Sequence, residues 1–120
     1  MMTILVVDDE EDICEMVGDY LEPEGYRVLK AHDGREGLGI AVRVKPDMIL
    51  LDIAMPRMNG FEMLEHLRGT HGISATPVVM LTAKEQSASI LEAERLHAAD
   101  YLIKPFTGKQ LLKVVRLAIG

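Results

Sequence analysis

Short apolar runs that stop at polar residues constrain the fold of this chain more than any other feature. Each run is three or four residues long, the length of a strand and too short for a helix. The runs are residues 4–7 before Asp8 and Asp9, 48–51 before Asp52, 78–81 before Thr82, and 101–103 before Lys104. In an open parallel sheet the carboxyl ends of the strands share one edge, where ligands bind. The sequence therefore predicts that three carboxylates, a hydroxyl and an ammonium group meet at that edge.

Segments with apolar residues at helical spacing separate these runs and predict five helices. The predicted helices cover about residues 13–21, 34–44, 60–68, 86–97 and 108–119, and a further strand is predicted at 26–31. Three helix starts have the pattern of a capping box, in which a polar residue precedes Glu or Gln by three positions. The pairs are Asp33 with Glu36, Asn59 with Glu62, and Thr107 with Gln110. In the fourth helix, Ile90, Leu91, Ala93 and Leu96 are the predicted buried side.

Strands and helices thus alternate through all 120 residues, which predicts one domain with a doubly wound parallel sheet. The apolar runs are continuous, as in strands that are covered on both faces. The net charge of −6 argues against direct contact of this domain with nucleic acid. The single cysteine, Cys14, predicts a reducing compartment, and its place in a helical pattern predicts an ordinary small residue of the core or its boundary. No run reaches the ~20 apolar residues of a membrane span, so we expect no membrane contact and a cytoplasmic protein.

The acidic edge has a chemistry of its own. Three carboxylates at one place repel each other, so without a cation at least one pKa should rise. Mg²⁺ suits such a site because it prefers oxygen ligands and keeps several waters. We expect Asp9 and Asp52 to be direct ligands with a backbone carbonyl, and Asp8 to act through water. An aspartate can also be a nucleophile for phosphoryl transfer, for which Thr82 would supply a hydroxyl and Lys104 a positive charge.

The chain resembles the receiver domain of two-component response regulators over its whole length, residues 1–120. The matching segments are VDDE at 7–10, DIAMPRMNG at 52–60, PVVMLTA at 77–83 and DYLIKPF at 100–106. Each segment alone is a weak signal, and the set in this order and spacing is specific. The resemblance implies a flavodoxin-like sheet of five parallel strands, in the order 2-1-3-4-5, with five helices.

The resemblance also implies residue roles. Asp52 would accept a phosphoryl group from a sensor histidine kinase or a histidine phosphotransfer protein. Asp9, Asp52 and the backbone carbonyl of Ala54 would hold Mg²⁺. Thr82 and Lys104 would contact the phosphoryl group, and Tyr101 would be the rotating aromatic residue of the switch. The face made by the fourth helix, the fifth strand and the fifth helix would then change and act on an output domain or partner protein. The Lys104–Pro105 bond would be cis.

Some positions depart from the family pattern. His97 stands where glycine is usual after the fourth helix, at a left-handed position. The dimer face of regulators with a winged-helix output often carries two acids and an arginine, and this chain has Ala99, Gln110 and Val114 there. These residues argue against that particular dimer face, so the sequence does not decide between a phosphorylation-dependent dimer and a monomer. Ala54 and Lys84 occupy positions that tune phosphoryl lifetime, which the sequence does not convert into a rate.

Three other functions compete with the switch. Phosphatases with an aspartate nucleophile usually carry a second acid two residues later, where this chain has Ala54. A flavin or nucleotide module needs a glycine-rich or hydroxyl-rich loop after the first strand, where this chain has four acids at residues 8–11. A degenerate receiver used as a scaffold would not be expected to keep all five key residues. The sequence thus predicts a phosphoacceptor switch that assists its own phosphorylation and dephosphorylation and is not an enzyme; the kinase, the signal and the output are not predicted.

Overall fold

Five parallel strands form one sheet in the order β2-β1-β3-β4-β5 in a computed structural model, which describes residues 1–83 and 94–120. The strands are β1 (Thr3–Val7), β2 (Arg27–Ala31), β3 (Met48–Asp52), β4 (Val78–Ala83) and β5 (Asp100–Lys104). The predicted order is confirmed. Several strands run one or two residues past the predicted apolar runs, because ladder pairing continues into polar residues such as Asp52, which pairs with Leu81.

Four α-helices lie within the described residues. They are α1 (Glu11–Leu21), α2 (Gly34–Val44), α3 (Gly60–Arg68) and α4 (Gly108–Ile119), the last corresponding to the fifth predicted helix. Most of the fourth predicted helix, with Ile90, Leu91 and Ala93, lies outside the described residues, as does Lys84. At its end Leu96 is buried and His97 has a φ of 58°, the left-handed conformation predicted there.

Two of the three predicted capping boxes are present, and the third differs from the prediction. Full capping boxes are present at Asn59 and at Thr107, as predicted. The capping box predicted at Asp33 is wrong in one half. Its side chain accepts the Glu36 N–H at 2.8 Å, but the Glu36 carboxylate accepts the N–H of His32 at 2.8 Å. A capping box would require the Glu36 carboxylate to accept the N–H of Asp33. It accepts the N–H of the preceding residue, His32, instead.

Both faces of the sheet are covered, as the continuous apolar runs predicted. Successive residues of β1 alternate between two buried clusters, with Leu5 facing α2 and α3 and Ile4 facing α1 and α4. Cys14 belongs to the second cluster and is fully buried. The predicted burial of Cys14 is confirmed, and that burial, followed by the charge of Asp8, raises the pKa of its thiol to about 11.

Candidate functional site

Three carboxylates meet at the carboxyl edge of the sheet. Asp8 and Asp9 directly follow β1, and Asp52 is the last residue of β3. Because β1 and β3 are neighbours, with Val7 paired to Leu51, Asp8 comes level with Asp52. One carboxylate oxygen from each of the three residues lies within 4.8 Å of the others. The predicted convergence of the acids is confirmed. Asp8 and Asp52 are buried and Asp9 is exposed.

Lys104 brings the ammonium group to the same place from the end of β5. Its Nζ lies 2.8 Å from Oδ2 of Asp8 and 3.4 Å from Oδ1 of Asp52. The sequence did not predict that Asp8 would be the nearest partner, nor that Glu10 would join, with its Oε1 3.4 Å from Nζ. The Lys104–Pro105 peptide bond is cis, as the resemblance implied.

Burial and charge shift the ionisation of the site. Burial, followed by the charge of Asp8, raises the pKa of Asp52 to about 7, although Lys104 opposes the shift. Burial also raises the pKa of Asp8. For Lys104, burial by itself would lower the pKa, but its contacts with Asp8 and Asp52 raise it overall. The predicted rise of at least one carboxylate pKa is present, but burial contributes more to it than the repulsion between the acids from which it was predicted.

The site has an unsatisfied buried oxygen. Oδ1 of Asp8 accepts the Glu10 N–H at 2.9 Å, and Oδ1 of Asp52 accepts the Ala54 N–H at 3.3 Å. Oδ2 of Asp8 forms an ion pair with the Lys104 ammonium group at 2.8 Å and has no further hydrogen-bond partner among the described residues. Asp8, Glu10 and Asp52 thus share one ammonium group, and Asp9 adds a further carboxylate to the cluster. The oxygen-only donor set of Asp8, Asp9 and Asp52 fits a hard divalent cation. In the described part of the chain, the one cluster able to hold a metal contains no histidine.

Thr82 and Tyr101 lie on neighbouring strands, β4 and β5. Asp52 pairs with Leu81, so Thr82 stands one position beyond it at the same edge. The Thr82 side chain is fully buried, and its hydroxyl donates to the carbonyl of Ala83 at 3.1 Å. Tyr101 pairs with Met80 and is 39% exposed. The Thr82 hydroxyl must break its hydrogen bond to the Ala83 carbonyl before it can donate to a group on Asp52.

The turn after Asp52 is closely packed. Met55 is buried and Met58 is partly buried, which agrees with packing over the turn and not with an exposed binding face. Gly60, the first residue of α3, is the feature that sequence reasoning undervalued. A Cβ on Gly60 would lie 2.3 Å from the backbone oxygen of Asp52. The missing side chain thus allows α3 to start directly against the phosphoacceptor candidate, a requirement that only the Asn59-Gly60 pair in the motif could have signalled.

Comparison with known proteins agrees with this geometry. The sheet order and the acidic edge are those expected of a receiver domain, and the family model of the response regulator receiver domain matches residues 4–116. The chain therefore belongs to the response regulator receiver family of two-component systems, whose members act as signalling switches. No helix within residues 1–83 and 94–120 is long and apolar enough to cross a membrane.

Individual relatives differ in length. The chain is 38% identical to protein PilH of Pseudomonas aeruginosa over 120 residues, all of this chain and 99% of that protein. It is 40% identical over 116 residues to the transcriptional regulatory protein CpxR of Escherichia coli K12, covering 97% of this chain and 48% of CpxR. Among solved structures, the chemotaxis protein CheY4 of Vibrio cholerae superimposes with a TM-score of 0.93 at 36% identity, over 98% of both chains. The chain thus spans nearly all of one relative and about half of another.

Proposed function

We propose that residues 1–120 form one receiver domain that is switched by phosphorylation of Asp52. The observation that supports this most is the position of Asp52, a buried carboxylate at the carboxyl edge of the sheet, 3.4 Å from Lys104 and beside two further acids. The phosphoryl donor would be a phosphohistidine of a sensor histidine kinase or of a histidine phosphotransfer protein. This location matches the edge where open parallel sheets bind ligands.

The transfer needs charge compensation and alignment more than acid–base catalysis. A carboxylate oxygen of Asp52 would attack phosphorus, and the phosphorus–nitrogen bond of the donor would break as the oxygen–phosphorus bond forms. The donor imidazole leaves and takes up a proton from solvent. Asp52 must be ionised to attack, and Lys104 favours the ionised form. Lys104 would also neutralise one oxygen of the transferred group, since an ammonium group acts as a point charge for phosphate.

Mg²⁺ fits the same site. Asp9, Asp52 and the backbone carbonyl of Ala54 would hold it, and Asp8 would act through water. When bound, Mg²⁺ supplies the positive charge that offsets the repulsion of the acids and the charge of the phosphoryl group. The support for this assignment is the excess of carboxylates at this edge: Asp8, Asp9 and Asp52 offer oxygen atoms within 4.8 Å of one another, and the ammonium group of Lys104 is already shared between Asp8 and Asp52.

The assignment of Asp52 is tested by labelling with acetyl phosphate in the presence of Mg²⁺. We expect intact mass to show one added phosphoryl group in the parent and none in Asp52→Asn, because the amide cannot act as the nucleophile. Asp19→Asn, which alters an exposed aspartate of α1, is the matched control and should label fully. Labelling of Asp52→Asn at the parental level would rule out Asp52. Many turnovers of small phosphate esters per protein molecule would instead favour the phosphatase.

Thr82 is proposed as the relay between Asp52 and Tyr101. After phosphorylation its hydroxyl would turn toward the phosphoryl group, and Tyr101 would move into the vacated space. This would change the face made by the fourth predicted helix, most of which lies outside the described residues, together with β5 and α4. If phosphorylation is to change the ratio of active to inactive molecules from 1:99 to 99:1, it must stabilise the active state over the inactive one by ~5.5 kcal/mol. One charge-assisted hydrogen bond supplies only about 1.5–3 kcal/mol. The switch should therefore be partial, with a minority of active molecules before phosphorylation.

Replacement of Thr82 should separate labelling from signalling. We expect Thr82→Ala to be phosphorylated, but to lose most of the amide chemical-shift changes on β5 and α4 that beryllofluoride, a phosphoryl mimic, induces in the parent. Thr82→Ser retains the hydroxyl and should keep most of these changes. If Thr82→Ala shows the full parental pattern in NMR spectra, the hydroxyl is not the relay.

The partners follow from the proposed chemistry and from the relatives. PilH has the length of this chain, whereas CpxR has about as much sequence again. A separate partner protein and an attached output domain therefore both remain compatible with the chain. The absence of direct nucleic-acid contact, the phosphorylation-dependent dimer and the cytoplasmic location stay predictions. We propose that the domain assists its own phosphorylation and dephosphorylation without acting on a free substrate.

A further inference from the structure

Arg68, in the last turn of α3, is bound in a way that the sequence did not signal. Its guanidinium donates to four main-chain carbonyl oxygens from two separate segments of the chain. The distances are 3.2 Å from Nε to Leu96 O, 3.3 and 2.9 Å from Nη1 to Ser74 O and Thr76 O, and 3.0 Å from Nη2 to His97 O. We call this arrangement the Arg68 clamp.

The Arg68 clamp joins the approaches to two neighbouring strands. Ser74 and Thr76 precede β4, and Leu96 and His97 precede β5. A backbone bond from Ala99 N–H to Val78 O, 2.8 Å long, ties the two strands at the same end. The amino ends of β4 and β5 are thus fixed to each other and to α3, whereas Asp52 and Thr82 lie at the opposite, carboxyl edge of the sheet.

The chemistry of the clamp requires arginine. Guanidinium has five N–H donors in a rigid planar fork, so one side chain can bind several carbonyls whose positions it then fixes. Burial lowers the pKa of Arg68, but a guanidinium stays charged at neutral pH, so the bonds are charge-assisted. A lysine would place a single ammonium point in the same space and could not bind all four carbonyls with this geometry.

Because the amino ends of β4 and β5 are fixed, these strands respond differently to a movement at their carboxyl ends. A strand that can slide along its neighbour takes up a small movement by a rigid shift. Because the Arg68 clamp holds both strands, a movement of Thr82 at the end of β4 has to be accommodated by local rearrangement between β4 and β5. Tyr101 pairs with Met80, two positions before Thr82, so it lies between the clamped amino end and the level of Thr82.

We propose that Arg68 is a positioning residue of the switch, which pins the amino ends of β4 and β5 and so directs the movement of Thr82 to Tyr101. The proposal rests on the proposed function, because it concerns the response to a phosphoryl group on Asp52. Arg68 touches neither the acids nor the phosphoryl group, so its loss should weaken the response without preventing phosphoryl uptake.

The test uses the full chain with Arg68→Lys and Arg68→Met, and measures two quantities. Intact mass after acetyl phosphate treatment reports phosphoryl uptake, and NMR reports the beryllofluoride-induced amide shifts of residues 101–103. We expect parental uptake in both variants, with the shifts reduced by roughly half or more in Arg68→Met and less in Arg68→Lys. Arg68→Lys keeps the charge, so it decides the test if Arg68→Met does not fold.

Two controls separate positioning from general effects. Arg116→Lys alters an exposed arginine paired with Glu24 and should keep the full shifts. Ile4→Val removes one buried methyl group of β1, away from the clamp, and should also keep them although it lowers stability. Full parental shifts in both Arg68 variants, or equal loss in Ile4→Val, would overturn the role of Arg68 while the proposed function stands. Absence of phosphoryl uptake in the parent would overturn both.

Discussion

Asp52→Asn should be more stable than the parent protein in EDTA at pH 8, by up to about 4 kcal/mol in the free energy of unfolding, since each unit of pKa shift corresponds to about 1.4 kcal/mol. The reason is the cost of an ionised Asp52 in the folded state, where burial and the charge of Asp8 raise its pKa from 3.8 to about 7. Asparagine has nearly the same shape and carries no charge. Chemical unfolding in urea at several pH values measures the difference.

The sign of the pH dependence follows from proton binding. Between pH 3.8 and about 7 the folded parent holds a proton on Asp52 that the unfolded chain has released, so the parent loses stability as pH rises through this range. The advantage of Asp52→Asn should therefore be absent below the unfolded pKa, grow through this range and level off above it. Asp19→Asn should show no such pH-dependent gain. A constant difference at all pH values would contradict the electrostatic explanation.

Added Mg²⁺ should narrow this difference, because a cation that binds only the folded state stabilises it. At 100 times its dissociation constant the gain would be about 2.7 kcal/mol for the parent. Asp52→Asn should gain less, since it lacks one proposed ligand.

Asp9→Asn should also bind Mg²⁺ more weakly than the parent in calorimetric titration, because it too lacks one proposed ligand. Equal affinity of Asp9→Asn and the parent would place the metal elsewhere.

Gly60→Ala should lower the free energy of unfolding by about 3 kcal/mol, the upper range for forcing a group into a packed interior. The new Cβ would meet three backbone atoms, the carbonyl oxygen of Asp52 at 2.3 Å, its carbon at 2.9 Å and Cα of Ile53 at 2.9 Å. Backbone atoms cannot rotate away as a side chain does, so α3 must move off β3. The hydrogen bond from Gly60 N–H to Ile53 O, 2.9 Å long, would stretch with it.

Gly39→Ala is the matched control for this substitution. Gly39 lies inside α2, and a Cβ there would meet nothing within 4 Å. Alanine is the better helix former, so this variant should gain about 0.5–1 kcal/mol. Urea unfolding of both variants gives the comparison, and acetyl phosphate labelling should fall in Gly60→Ala alone, since its strain falls on Asp52. If Gly60→Ala is as stable as Gly39→Ala, the close approach of α3 to Asp52 is not a constraint.

The parts of the fold that the sequence predicted are those that depend on neighbours along the chain. The apolar runs, the helical spacing and the caps at Asn59 and Thr107 are local patterns, and they placed the elements to within a few residues. The convergence of Asp8, Asp9 and Asp52 was also predictable, because parallel strands must end at one edge. The sheet order came from the family resemblance and not from these patterns.

Contacts between residues distant in sequence were decided only by the tertiary structure. The sequence placed Lys104 at the acidic edge, yet only the fold shows that its ammonium group lies closer to Asp8 than to Asp52. The need for glycine at position 60 depends on how closely α3 approaches β3, and the role of Arg68 depends on carbonyls up to 29 residues away. Spacing along a chain fixes which side chains point to one face, whereas distances of a few ångströms between elements depend on how the whole core packs.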